Sequence, residues 1–511
     1  MKRETQTSLK KHIDFLDSIS KHIKWKLIVS NPMVPRLYGL PKIHKPGFNM
    51  RPIVSNNNAP MENIAKFLVS TFNNLIPPIG LYVNNTYEFV DKLISQNINN
   101  TEIMVSFDVV SLFPSIPIPE TLVILKKWLQ HQHLSSKEVD TYMDLTTMCM
   151  NLNYFQFDYQ FYKQDSGSAM GQSLSPFIAN LFMADLESRL NNSTMFPRFW
   201  VRYVDDIFAI IKKDNLIPFL NLLNLQHQSI KFTMEEDKEN KLPFLDILVH
   251  REEIRFTLKI YRKPSTTMRF IPENSFCNNR HKTASFNSMI YRACNIPMEP
   301  KHFDEEINYI KDIAIFNGFN VKLVDSIKSK QLARKKLKSC TTLLPIDEKE
   351  PVRRHKIIYY PKITNQISKI FKSHNIELVN YSNSKLGQCL GSTKDKIIDN
   401  NLKPGIYEIS CKDCNGIYVG QSKRPVKARF KEHLLHVKNI EPKKSSVAAH
   451  ILETDHRIEF DNLKLIKQVT DQRKLDAWES LLIQQNRSNK TLLNSDNGPI
   501  NSQLLKLKVK P

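Results

Sequence analysis

Apolar positions along this chain change period repeatedly, and each change outlines an element. Residues 32–55, PMVPRLYGLPKIHKPGFNMRPIVS, are punctuated by proline and glycine, which predicts short strands with basic residues between them. Residues 59–98 carry helical spacing in AKFLVSTFNNL and YEFVDKLIS, whereas EIMVSFDVVSLF (102–113) is a β-rich apolar run broken by one aspartate. Helical spacing returns at 120–150, and NYFQFDYQFYKQ (153–164) alternates as a hairpin does. SPFIANLFMADLESRL (175–190) reads as a helix, with Ser175 as its cap and Pro176 in its first turn. PRFWVRYVDDIFAII (197–211) predicts two strands joined at the aspartates, and LPFLDILVHREEIRFTLKIYRKP (242–264) predicts further strands.

The second half is organised differently. Residues 275–340 are helical and basic, and a charged, proline-bearing seam follows at 345–355. A strand–helix–strand unit is expected at 357–381, then a second seam, LGSTKDKIIDNNLKPG, leads into 405–505. There GIYEISCKDCNGIYVG predicts a β-hairpin with Asn415–Gly416 helping its turn, and ARFKEHLL and DAWESLLIQQN predict helices.

Length and charge narrow the class. A chain of 511 residues exceeds one core and implies two to four domains, and 41% hydrophobic content suffices to pack them. The formal charge of +22 points to a polyanionic partner. Seven sparse cysteines argue against a disulfide framework and for a reducing compartment. The N-terminus, MKRETQTSLKKHIDF, has no secretory pattern, and no apolar stretch has the length of a membrane span, so no membrane partner is expected.

Three aspartates then stand out. Asp108 in VSFDVV and Asp205–Asp206 in YVDDIF are carboxylates inside apolar, β-branched runs, where an uncompensated charge is costly. Turn capping or lysine pairing is the bland account, and divalent cations bridging the carboxylates is the chemical one. In order along the chain stand RLYGLPKIHKP (36–46), RPIVS (51–55), SFDVVSLFPSI (106–116), GSAMGQSLSPFIANLFMADLE (167–187), RYVDDIFAI (202–210), LPFLDILV (242–249) and YRKPSTT (261–267). In these blocks the sequence resembles a reverse transcriptase of the Penelope-like retroelement family. The resemblance implies that Asp108, Asp205 and Asp206 bind two Mg²⁺ ions, with Mn²⁺ as an alternative. It implies that Lys42 and Arg51 contact the incoming triphosphate and that Phe113 crowds a ribose 2′-hydroxyl. It further implies that Gly171, Gln172 and Ser175–Pro176 shape the template–nucleotide pocket, with GQSLSP where the family commonly has GSPLSP.

The 405–505 region carries a second constellation. Arg429 and His433 lie four apart on one helix face, and Glu479 lies on or near the apolar stripe of another helix. A solvated face and a surface carboxylate are the bland readings. Cys411, Cys414, His450 and His456 give C-x₂-C-x₃₅-H-x₅-H, a spacing that suits tetrahedral zinc at both ends but is long between them, with His436 a competing ligand. Together these residues resemble a GIY-YIG endonuclease domain, again of the Penelope-like type. Gly405-Ile406-Tyr407 matches the first triplet, and Tyr418-Val419-Gly420 the second with valine for isoleucine. The resemblance implies catalytic roles for Tyr407, Tyr418, Arg429, His433, Glu479 and Asn494, with one Mg²⁺ on Glu479. It also implies a structural Zn²⁺ on the Cys₂His₂ set. Tyr418, assisted by His433, is expected to handle the attacking water, the identity of the base being open.

The expected architecture is multidomain α+β. A helical, basic N-terminal segment (1–31), shortened relative to the family, precedes fingers and palm (32–275), a thumb-like helical region (276–345), an α/β connector (346–400) and the nuclease domain (401–505) of a right-hand polymerase. The expected function is RNA-directed DNA polymerisation coupled to DNA nicking in target-primed reverse transcription, in the nucleus after cytoplasmic synthesis. Its partners would be an RNA template, a DNA primer, target DNA and deoxynucleoside triphosphates, bound largely through phosphates and hence salt-sensitive. The alternative is a domesticated or truncated nucleic-acid-binding derivative with little or no polymerase activity.

Overall fold

The computed structural model describes residues 2–19, 23–29, 32–43, 47, 49–78, 80–340, 353–382, 390, 394, 399–469, 471–487, 491–496 and 498–500. The end of the RLYGLPKIHKP block, most of the two seams and residues 501–505 lie outside them. Helices α1 (Lys2–Lys11), α2 (Ile13–Ile19) and α3 (Ile23–Leu27) open the chain. Their Leu9, Leu16, Ile23 and Leu27 are buried in the largest core, so this segment is part of the fold that follows it. Strands β1 (Arg36–Pro41) and β2 (Met50–Ser55) pair antiparallel. Helix α4 (Glu62–Phe72) precedes α5 (Thr86–Ile94), which is capped by Asn85 accepting from the Tyr87 and Glu88 amides.

Strand β3 (Glu102–Val109) leads into the short α6 (Leu112–Ser115), then α7 (Ile118–Gln130) and α8 (Ser136–Asn151). The expected hairpin forms as β4 (Tyr154–Phe157) and β5 (Gln160–Lys163), and it extends the first sheet in the order β2-β1-β4-β5. Helix α9 (Ser175–Leu190) has Pro176 in its first turn, but the expected Ser175 cap does not form. Leu174 holds the cap position, and the Ser175 hydroxyl instead donates to the Ala169 carbonyl at 2.8 Å, pinning the preceding loop.

Strands β6 (Phe199–Tyr203) and β7 (Asp206–Lys212), helix α10 (Leu216–Leu225) and strand β8 (Phe232–Glu236) complete an antiparallel sheet of order β6-β7-β3-β8. Its two faces pack into different cores. Val105, Phe107, Ile207 and Ala209 enter the one shared with α9, while Met104, Phe208 and Ile210 enter another. Burial on both sides explains why EIMVSF and IFAII are continuous rather than alternating. The second core is closed by β9 (Lys241–Phe244), β10 (Ile247–Glu252) and β11 (Arg255–Ile260), an antiparallel sheet of order β11-β10-β9.

Helices α11 (Asn279–Asn295), α12 (Pro300–Phe316) and α13 (Lys322–Cys340) surround their own core of Phe286, Ile290, Ile307, Ile310 and Val324. Strand β12 (Arg353–Ile358), helix α14 (Ile363–Lys372) and strand β13 (Ile376–Tyr381) make the expected strand–helix–strand unit, with the strands parallel. The C-terminal part contains β14 (Gly405–Ser410), β15 (Gly416–Ser422), α15 (Val426–Lys438), α16 (Ser446–Thr454), β16 (Leu463–Gln468), α17 (Gln472–Arg487) and β17 (Thr491–Leu492). Its sheet order is β16-β14-β15-β17. Alternation divides this sheet cleanly: Tyr407 and Ile409 pack with Phe430 and Val447 of α15 and α16, whereas Ile406 and Val419 pack with Leu475 and Ile483 of α17. Among the described residues no helix is long and apolar enough to cross a membrane.

Candidate active sites

The first site lies where β3 and the β6–β7 hairpin meet. Asp108 and Asp206 face each other in register across β3 and β7, and Tyr203 pairs with Asp206 across the two-residue turn Val204–Asp205. The Val109 amide donates to the Asp205 carbonyl at 3.0 Å, tying that turn to the end of β3. Burial raises the Asp205 carboxyl pKa, and the like charge of Asp108 adds to the rise, while Arg51 and Lys42 oppose it. A buried carboxylate whose proton affinity is raised by a neighbouring aspartate, with two cations opposing that rise, belongs to a donor set suited to divalent cations. Asp206 stands exposed at the mouth.

Arg51 on β2 and Lys42 beyond β1 reach this site because the hairpin pairs Leu40 with Arg51 and the Lys42 amide with the Asn49 carbonyl. Gly171 has φ 113° at a point where a Cβ would strike the Val54 carbonyl, so glycine lets the loop before α9 press against β2. Phe113, on α6, is partly buried, and its carbonyl accepts from Ser168 at 2.8 Å, which joins it to the same loop. Gln172 points elsewhere: it is buried, and its Nε2 donates to the Cys149 carbonyl at 2.9 Å. It therefore braces the loop from behind. The LPFLDILV and YRKPSTT blocks gain a place here, since Asp246, Tyr261 and Lys263 line a cleft of about 790 Å³ together with Asp108 and Asp206.

One pair escaped the sequence reading. Arg202 and Glu187 are each 1% exposed and form an ion pair beneath the aspartate turn. Glu187 also accepts from the Trp200 indole at 3.2 Å and the Leu81 amide at 3.3 Å. Arg202 donates to Asn180 at 3.0 Å and to the Val204 carbonyl at 3.3 Å. Val204 has φ 57°, a costly conformation for a β-branched residue, and the guanidinium holds it in place. Opposite charges in two apolar stripes, WVRYV and FMADLE, were the available signal. Glu187→Gln should strand Arg202 and lower stability by about 3–5 kcal/mol, read as a reduced denaturation midpoint against wild type.

The second site lies on the C-terminal sheet. Tyr407 pairs with Gly420, and Ile409 with Tyr418, which places both tyrosines on one face. A Cβ at Gly420 would lie 2.6 Å from the Tyr407 hydroxyl, so the second triplet needs its glycine to leave room for the first triplet's tyrosine. His433 of α15 is 1% exposed, with Nε2 2.8 Å from the Tyr407 hydroxyl and Nδ1 2.7 Å from Ser445 Oγ. Burial first, then the Arg429 charge, lowers its pKa to about 4, so the ring is neutral at pH 7. The expected assistance of Tyr418 by His433 takes a different route. The histidine nitrogen meets Tyr407, while Tyr418 sits edge-on to the ring at 5.2 Å between centroids.

Arg429 is anchored by Glu432 at 2.9 Å. Tyr418 has a raised pKa, from burial and then from the Glu479 carboxylate. Glu479 itself is pushed up to about 7 by burial and by Asp496. A carboxyl in that state gains from either a proton or a cation, which fits a metal ligand. Asn494 uses both ends of its amide on Val419, accepting from its N–H at 2.9 Å and donating to its carbonyl at 2.7 Å. That double bond clamps β15 and fixes the strand carrying Tyr418.

The CKDC tip and α16 form a third cluster, remote in sequence and close in space. The ligand atoms of Cys411, Cys414, His450 and His456 all lie within 4.8 Å of one another. Cys414 Sγ is 3.7 Å from His450 Nε2, and His456 Nδ1 is 3.3 Å from the same nitrogen. A tetrahedral ion with ordinary metal–sulfur and metal–nitrogen bonds requires edges of about 3.3–3.8 Å, so the set fits a metal. Amides of Asp413 and Gly416 donate to the two sulfurs at 3.4 and 3.3 Å. Asp413 accepts from the Arg457 amide at 2.6 Å and its guanidinium at 2.8 Å, which joins the tip to the loop bearing His456. The competitor His436 is engaged by Glu441 at 2.9 Å.

Three family models match separate parts of the chain. Residues 269–329 match the family model described as the animal helix-turn-helix domain, which falls on α11–α13. No curated protein matches the chain. Among solved structures, telomerase from Candida albicans in complex with a TWJ fragment of telomeric RNA is 10% identical, covering 60% of this chain and 61% of that one at a TM-score of 0.41. The RNA-dependent RNA polymerase of a human picorbirnavirus is 12% identical, covering 60% and 62% at 0.39, and the Sicinivirus 3Dpol polymerase is 12% identical, covering 60% and 70% at 0.38. The chain thus spans about three fifths of the Candida albicans telomerase chain. Residues 43–255 match the family model for reverse transcriptase (RNA-dependent DNA polymerase), and residues 403–492 match the GIY-YIG catalytic domain. The chain joins a reverse transcriptase domain of mixed α/β, polymerase-like fold to a C-terminal GIY-YIG domain, a pairing that supports RNA-directed DNA polymerase and nuclease activities.

Proposed function

We propose that this protein is the replicase of a Penelope-like mobile element, nicking target DNA and extending the exposed 3′-hydroxyl on an RNA template in the nucleus. One observation carries the reading: two separate clusters, each with a buried carboxyl of raised pKa beside a second carboxylate, stand in one basic chain, as two phosphoryl-transfer sites would require. The seven ordered blocks support the family assignment. In the division proposed here, fingers and palm occupy 32–275, a thumb 276–345, a connector 346–400 and the nuclease 401–505.

In the polymerase, Asp108, Asp205 and Asp206 would hold two Mg²⁺ ions, or Mn²⁺, which when bound favour the ionised primer hydroxyl and offset charge on the leaving pyrophosphate. Arg51 and Lys42 orient the deoxynucleoside triphosphate, the guanidinium as a fork and the ammonium as a point charge. Phe113 excludes the ribose 2′-hydroxyl. In the nuclease, Glu479 would hold one Mg²⁺, and Arg429 binds charge developing on the scissile phosphate. Tyr418 orients the attacking water, and the Tyr407–His433 pair is the nearest proton acceptor network.

The Cys₂His₂ cluster is assigned a structural Zn²⁺. Wild-type protein should carry about one zinc per chain by elemental analysis, and Cys411→Ser/Cys414→Ser should carry none. A well-folded wild type without zinc would sink that assignment. The function as a whole is tested by primer extension on an RNA template run beside nicking of supercoiled DNA, with activity falling steeply as salt rises. Extension on RNA without any nicking would defeat the coupled reading.

A further inference from the structure

We propose that Ser445 is a positioning residue of the nuclease, accepting the Nδ1–H of His433 and thereby leaving Nε2 as the acceptor for the Tyr407 hydroxyl. This role rests on the nuclease reading above and adds a residue that neither GIY-YIG triplet contains.

A neutral imidazole has one donor nitrogen and one acceptor nitrogen, so the partner of either nitrogen decides what the other can do. Both partners are present. Ser445 Oγ is 2.7 Å from Nδ1, and the Tyr407 hydroxyl is 2.8 Å from Nε2. Tyr407, His433 and Ser445 are 0%, 1% and 7% exposed, so water does not compete for either nitrogen. The Tyr407 hydroxyl is buried, so its proton needs an acceptor inside the protein. Nε2 is placed to receive it.

Ser445 is held rigidly enough to act as an orienting group. It is the N-cap of α16, and its Oγ accepts from the Ala448 amide at 3.2 Å. The far part of α16 carries His450, whose ring joins the Cys411–Cys414–His456 cluster at the tip between β14 and β15. The same helix therefore braces the histidine of the relay at one end and meets the catalytic hairpin at the other. With this tautomer, a proton leaving Tyr407 passes to Nε2 while the other proton stays on Nδ1, hydrogen-bonded to Ser445, so the relay moves one proton and needs no other reactant.

The test uses the full chain and nicking of supercoiled DNA with Mg²⁺. Ser445→Gly keeps a tolerated cap residue but removes Oγ, and kcat should fall about 10- to 100-fold with KM little changed, less than the full 10²–10⁴ that positioned proton transfer supplies because only its orientation is lost. Ser445→Asp keeps the cap and can only accept, so it should retain activity to within about 3-fold of wild type. Because a carboxylate beside Nδ1 favours the imidazolium, the acid limb of the pH–rate profile should also move to higher pH. Primer extension, zinc content and melting temperature serve as fold controls. Two results overturn the role: Ser445→Gly nicking like wild type, or Ser445→Asp as defective as Ser445→Gly, which would mean that Ser445 donates to Nδ1. Absence of nicking by the wild-type chain would instead overturn the nuclease reading, and this role with it.

Discussion

Asp205→Asn is expected to abolish primer extension, by about 10³-fold or more, while duplex binding persists. Burial and Asp108 both raise the proton affinity of the Asp205 carboxyl, and Arg51 and Lys42 offset only part of that rise. Replacing it with a neutral isostere removes a repulsion, so the protein should fold at least as well as wild type. The lost function is cation binding, which a carboxamide performs poorly. Fluorescence anisotropy with a primer–template duplex should give a dissociation constant near the wild-type value, since phosphate contacts elsewhere supply most of the affinity. Extension that survives in this variant would sink the metal assignment at Asp205.

Glu479→Ala should remove nicking and leave extension intact. Glu479 is held near pKa 7 by burial and by Asp496, so at neutral pH it exchanges a proton for a cation readily. Alanine leaves the site without that ligand. It also takes away the charge that helps raise the Tyr418 pKa, so the tyrosine should become more acidic and yet fail to rescue cleavage. A loss of about 10²–10⁴-fold in nicking, with unchanged extension on a pre-annealed primer, would separate the two activities. Equal nicking by the variant would defeat the role given to Glu479.

Much of the architecture was legible because it follows local period. The hairpin around Asp205–Asp206, the run of α9 and the GIY-YIG hairpin all form where alternation or helical spacing placed them. β8 did not stand out, because a five-residue strand ending in two glutamates carries too little pattern to mark it. Ser175 does not cap α9 for another reason. Its hydroxyl had a better acceptor in the Ala169 carbonyl, supplied by a loop whose path depends on Gly171 packing against β2. The Arg202–Glu187 pair was visible as two charges in apolar stripes, but not as a pair, since fifteen residues and a change of element separate them.

The sequence by itself determined the residue types available for chemistry, their order, and the basic charge that suits a nucleic acid partner. It also marked the continuous apolar runs that flank Asp108 and Asp205–Asp206. Only the tertiary structure decided which of these groups meet. It set Tyr407 rather than Tyr418 against His433, gave His436 to Glu441 and gave His450 and His456 to the cysteine tip. It also put Ser445 behind the relay and Arg202 beneath the aspartate turn. The physical reason is the range of the forces involved. Periodicity and capping act within a few residues, whereas a hydrogen bond of 2.8 Å between Tyr407 and His433 requires a strand and a helix to be packed to within a fraction of an ångström.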